Sequence, residues 1–234
     1  MKQVTFSGWL IQAFELANKQ PVVWLGSVVF LTVILALGRI SLALQIVVSI
    51  SCLFVSVGVI DAIDRGSSDF WKTIKRHLPL ACLLATVLML LWFLFRMVAN
   101  FNTGETEKIW QFFFYWELSE AAFEDKTLRQ IMLWLYSAAI VSLVFVILML
   151  NSFASWFSYP LMIFDHKSWS DARDVGRQAF ADNAGEMYKL NGFLLITAFV
   201  GIGLVPLLTP LFYMLVSTLM YVSYKDIFVN QINL

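Results

Sequence analysis

Long uncharged stretches alternate with short polar ones along the whole chain. No Asp, Glu, Lys or Arg falls between Lys19 and Arg39, Arg39 and Asp61, Arg129 and Asp165, or Lys189 and Lys225. A helix needs roughly 20 apolar residues to cross a bilayer. Six segments meet that need: 21–38, 40–60, 79–99, 131–155, 190–207 and 208–224. The last two are the tightest fit, because the 35 uncharged residues between Lys189 and Lys225 must cross twice. Gly201, Gly203, Pro206 and Pro210 mark that turn, which is expected to dip into the bilayer, where glycine permits close helix contact and neighbours satisfy the prolines.

Between these runs the hydrophobic period changes to that of amphipathic helices. Over 5–19, Phe6, Trp9, Leu10, Ala13, Phe14 and Ala17 recur at the three-and-four spacing of one helical face. Over 67–78, Phe70, Trp71, Ile74 and Leu78 oppose Lys72, Lys75 and Arg76. Both patterns predict helices lying in the membrane interface, anchored by Phe6, Trp9, Phe14, Phe70 and Trp71. The third such stretch, 168–189, has a less apolar inner face of Ala172, Val175, Gly176, Ala179, Phe180, Asn183 and Met187, and is expected to pack more on protein than on lipid. Two of the three share a motif: IQAFELANKQPVVWLG at 11–26 returns as RQAFADNAGEMYKLNG at 177–192. The order of elements, an interfacial helix followed by two membrane helices, repeats three times. It implies a three-fold pseudo-repeat about an axis along the membrane normal.

Composition fixes the class. Hydrophobic residues make up 60% of the chain, charged residues 14% and aromatics 16%, more apolar surface than a soluble core of 234 residues hides. The expected fold is all-α: a polytopic integral membrane protein in which 1–234 form a single membrane domain. Sixteen basic residues balance sixteen acidic ones, so no net field argues for nucleic acid, and the distribution of Lys and Arg becomes informative. With a cytoplasmic N-terminus, eleven of them fall inside and five outside, which predicts that both termini are cytoplasmic. The inner segments also carry Asp61, Asp64, Arg65, Asp165, Arg173 and Asp226, read as structural acid and base groups that cap or pair at helix ends.

Several short motifs resemble a known group. Trp9, Gln20, Pro21, Trp24 and Gly26 lead into the first span, Tyr159 and Pro160 close the fourth, Asp165, Ser168 and Ala172 open the third amphipathic helix, and Tyr224 to Phe228 read Tyr-Lys-Asp-Ile-Phe. Together they resemble bacterial multi-pass inner-membrane proteins of the YciC-like and glycerophosphodiesterase membrane-domain families. The resemblance covers most of the chain except 100–130. It implies a bacterial inner membrane and a helical membrane fold, and it transfers no catalytic residue, the phosphodiesterase domain being absent from this sequence.

Chemistry-bearing residues are sparse. The two histidines, His77 and His166, belong to no metal-binding spacing. Cys52 and Cys82 both lie in apolar runs and read as packing residues. The spans hold no Asp, Glu, His or Lys in their central portions, where membrane hydrolysis or coupled transport would need one. Small polar residues such as Gln45, Ser49, Ser51, Ser142 and Asn151 read as helix–helix glue. No enzyme activity, cofactor or metal is therefore expected. The richest feature is the outer loop 100–130, acidic and holding Trp110, Phe112, Phe113, Phe114, Tyr115 and Trp116 within seven positions. These aromatics are read as a candidate partner or lipid surface. The resulting expectation is a non-enzymatic scaffold, regulator or immunity-type factor that contacts the lipid bilayer and an envelope protein or lipid, alone or as a homo-oligomer. A transporter or channel for a small or lipid-like solute is the alternative.

Overall fold

The structure, a computed structural model, describes residues 5–37, 41–67, 69–104, 112–113, 126–203 and 206–229. All regular elements among them are helical: α1 Phe6–Lys19, α2 Pro21–Leu37, α3 Leu42–Asp64, α4 Phe70–Asn102, α5 Leu128–Ser152, α6 Ser158–Phe164, α7 Trp169–Asp182, α8 Ala184–Gly203 and α9 Thr209–Tyr224. A 3₁₀ turn, Pro206–Leu208, precedes α9, and a π turn, Lys225–Val229, follows it. Among the described residues four elements are long and apolar enough to cross a membrane: α3, α4, α5 and the continuous stretch Pro206–Val229. Residues α1 and α2 together would add a fifth, but they bend by 97°. Pro21 opens α2, where its missing N–H costs nothing.

The helices α2, α3, α4, α5, α8 and α9 run alternately away from and back towards the end where α1 lies. In the most apolar stretch of α3, 72% of residues are buried within the protein, against 17% for α4. The stretch Pro206–Val229, containing α9, is buried to the same 72%, so α3 and α9 are both central, and α4 leans on α3 from outside. Polar side chains tie the bundle together, though of those read as glue Gln45 and Asn151 link helices, Asn151 reaching Asn191 at 3.2 Å, whereas Ser142 bonds the Ala138 carbonyl of its own helix. Gln45 Nε2 donates to the Leu135 carbonyl at 3.2 Å, Tyr136 Oη to Thr32 at 3.1 Å, Tyr213 Oη to Ala139 at 2.6 Å and Ser217 Oγ to Leu53 at 2.9 Å. Each links two helices where apolar packing alone gives little preference over lipid.

Element boundaries differ from the sequence reading in three places. The expected break at 78/79 is absent: α4 runs unbroken for 33 residues through Pro79, about 50 Å at ~1.5 Å per residue, so the second amphipathic stretch is the first part of a membrane helix. In the third, α7 ends at Asp182 and α8 begins at Ala184, so 184–189 belong to the apolar helix. The fourth span ends at Ser152, and Tyr159 and Pro160 lie in the separate helix α6. Consequently the three units differ in the joint between amphipathic and apolar segments: a sharp bend, a continuous helix, and a one-residue break at Asn183.

The shared Gln-Ala-Phe places its alanine inside in both copies, Ala13 and Ala179 each being buried. The glycines fourteen residues after each glutamine, Gly26 and Gly192, have open space where a Cβ would stand, so close packing does not require either.

Candidate functional site

Two adjoining features occupy the α1 end of the bundle: a polar clasp and an apolar groove. The clasp holds α1 at three points. At its N-terminus the Phe6 N–H donates to Glu186 of α8 at 2.6 Å, a carboxylate placed at the positive end of a helix dipole. Bonds from Lys189 and from the Phe6 amide hold the Glu186 carboxyl below the ordinary carboxylate range. In the middle, Trp9 Nε1 donates to Asp226 at 3.0 Å. At the C-terminus Lys19 reaches Asp64 at 2.5 Å, and Lys225 pairs with the same carboxylate. Tyr221 Oη donates to both Asp64, at 2.9 Å, and Asp61, at 3.2 Å, and Arg65 Nε pairs with Asp61 at 2.8 Å. Three helices and the π turn thus share one charge network, in which Lys19, Arg65 and Lys225 surround Asp61 and Asp64.

Next to it, His77 of α4 is buried, with Nδ1 3.1 Å from Tyr159 Oη. Tyr159 in turn stacks on Phe54 at 4.4 Å between ring centroids. Tyr224 Oη donates to Asp165 at 2.8 Å, and Arg76 contacts the Ile163 carbonyl at 3.4 Å and His166 at 3.3 Å. These bonds fasten α6 and the α6–α7 link to α4 and α9. Arg177 satisfies the carbonyls of Ser152, Phe153 and Ala154 at the end of α5, groups that would otherwise be orphaned.

The groove lies between α2, α3 and the start of α4, and measures about 450 Å³. Val23, Phe30 and Ile34 form one wall, Val55 and Val59 the floor, and Trp71 stands at the polar end. Its α2 wall from Val23 to Ile34 rises about 16 Å at ~1.5 Å per residue, close to half of the ~30 Å hydrocarbon core. Lys75 Nζ lies 5.4 Å from the centre of the Trp71 ring, within cation–π range.

The structure separates the predicted anchors. Trp9 is fully buried and bonded to Asp226, so it is an interior residue and not a headgroup anchor; its face, with Ala13 and Leu16, packs on the bundle. Phe14 and Trp71 are exposed, and Phe6 and Phe70 are half-buried. Of the outer-loop aromatics, Phe112 is 1% exposed, packed on Phe93 of α4 at 5.3 Å with Arg96 over its ring, which removes it from any docking surface. Phe113 contacts the same Phe93 at 4.9 Å. Trp110, Phe114, Tyr115 and Trp116 lie outside the described residues. Of the six acid and base groups, five join the network or its surroundings, whereas Arg173 pairs with its neighbour Asp174. Sequence reading missed the groove. Its only sequence signal is a set of small residues, Gly26, Ser27 and Ser56, facing one another from α2 and α3. Among the described residues no three His, Cys, Asp or Glu side chains converge on a point that would hold a metal ion.

No protein-family model, curated protein or solved structure matches the chain.

Proposed function

We propose that this chain is a non-enzymatic, six-span protein of the bacterial inner membrane with cytoplasmic termini, acting as a scaffold or regulator that holds a membrane lipid against α2, α3 and α4. The observation that carries this reading is the groove. It is apolar along its length, as deep as one leaflet, and belongs to a protein whose surroundings are acyl chains, so a lipid tail fills it at no desolvation cost. The short amphipathic motifs and the excess of Lys and Arg on the α1 side support the inner-membrane placement and the orientation. In the six-span reading, α2 and α8 cross together with the four longer elements, which the alternating directions of the helices support.

Native mass spectrometry of the purified protein tests the reading. The parent is expected to retain phospholipid. Gly26→Phe fills the groove from a position where added side-chain atoms meet open space, and is expected to lose that lipid while its thermal midpoint stays close to the parent's. Equal retention by both proteins overturns the groove as the binding site.

A further inference from the structure

Resting on the lipid-binding reading, the charge pattern at the mouth of the groove names the kind of lipid. We infer that the groove selects an anionic phospholipid, with one acyl chain between α2 and α4 and the phosphate at Lys72 and Lys75.

Most of the described cations on the α1 side are already engaged. Lys19, Arg65, Arg173, Lys189 and Lys225 each pair with a carboxylate, and Arg76 and Arg177 are bonded to carbonyls. Lys72 and Lys75 have no carboxylate partner among the described residues, and both are exposed. From Gly66 to Gly104 the only acid is Asp69, whose side chain caps α4 by accepting the Lys72 N–H at 3.1 Å.

Position is the second observation. Trp71, Ile74 and Leu78 of α4 line the groove. Lys75 lies one turn beyond Trp71 on that same face, and Lys72 lies beside it, three residues being about one turn. The two ammonium groups therefore sit where the first turns of α4 leave the apolar wall, at headgroup level for a tail lying along α2. Trp71 marks the headgroup level, the depth at which tryptophan is enriched in membrane proteins, and the Lys75 ammonium, 5.4 Å from its ring centre, reaches back to that level. Two cations without a carboxylate partner among the described residues, beside a tail-sized apolar slot, complement an anionic headgroup, which a zwitterionic headgroup matches less well because it brings its own cation.

The test reconstitutes full-length protein in mixed vesicles of phosphatidylglycerol and phosphatidylcholine and measures co-purifying lipid. The parent is expected to enrich the anionic lipid over the bulk, with each lysine contributing roughly fivefold at low salt. Lys72→Gln combined with Lys75→Gln is expected to bring the bound mixture to the bulk ratio without changing total lipid, and Lys72→Arg with Lys75→Arg to keep the enrichment. Raising the salt should narrow the difference. An unchanged anionic excess in the double glutamine variant overturns the selection by these lysines. A parent that holds no lipid at all overturns the underlying reading, as does a Gly26→Phe variant that holds as much as the parent.

Discussion

His77 can lie against α3 only because residue 58 has no side chain. A Cβ built on Gly58 stands 2.6 Å from the imidazole ring, and the ring cannot swing away without breaking its contact with Tyr159 Oη. Gly58→Ala is therefore expected to destabilise the protein by about 1–3 kcal/mol, the usual cost of overpacking, read as a lower thermal midpoint in detergent. Adding His77→Ala should recover part of the loss, because the two sites share one clash and are non-additive; a midpoint unmoved by Gly58→Ala would show that α3 and α4 are not held at this distance. Gly66 has a different reason for being glycine. It adopts a φ of +65° just after the last turn of α3, and the Ser67 N–H returns to the Ala62 carbonyl at 2.9 Å, a closure that places the start of α4 beside the end of α3.

At the scale of elements, α1 is secured at both ends and in the middle by side chains from α8, from the π turn and from α3. Asp64→Asn removes the partner shared by Lys19 and Lys225, and faster amide exchange is expected across Phe6–Lys19, with the spans unaffected; unchanged exchange would sink the clasp. The Glu186 contact adds a dependence on pH. Its folded carboxyl titrates lower than an unrestrained one, so its contribution is present above the unfolded pKa and is lost as pH falls through the folded value. The start of α1 should loosen in acid, and Glu186→Gln should loosen it already at neutral pH. Much of this architecture could be read in the sequence, but not the side α1 turns inward. Trp9, Ala13 and Leu16 form one apolar arc and Ile11 with Phe14 another; periodicity finds a helix and an apolar face, while the choice of arc depends on Asp226, more than two hundred residues away. Continuity of α4 was hidden for a similar reason. Pro79 and the polar residues before it look like a boundary, yet neighbouring turns and packing on α3 carry the helix through one missing hydrogen bond. The groove left almost no trace, because a void is defined by what three helices do not fill.

For the whole molecule, alternation of the six apolar helices together with the positive bias predicts that both termini and the α3–α4 link share one side of the membrane. Reporter fusions at Ser67 and after Leu234 should report cytoplasm and those at Thr103 periplasm; a periplasmic C-terminus would reverse the orientation and put the lysines at the groove mouth outside. The outward placement of α4, which packs one face on the core through Leu80, Leu84 and Leu88 and leaves the other exposed, also explains why the groove opens beside it and not between the central helices. The bond from Trp9 to Asp226 joins residues 217 positions apart, and this has a bearing on time. During synthesis α1 emerges long before Glu186 and Asp226 exist, and until then Asp64 of α3 is the one of its three clasp partners that can hold it. Synthesis of Lys225 and Asp226 then completes the clasp, and a chain without them would leave Trp9 without its acceptor and Asp64 with one cation fewer.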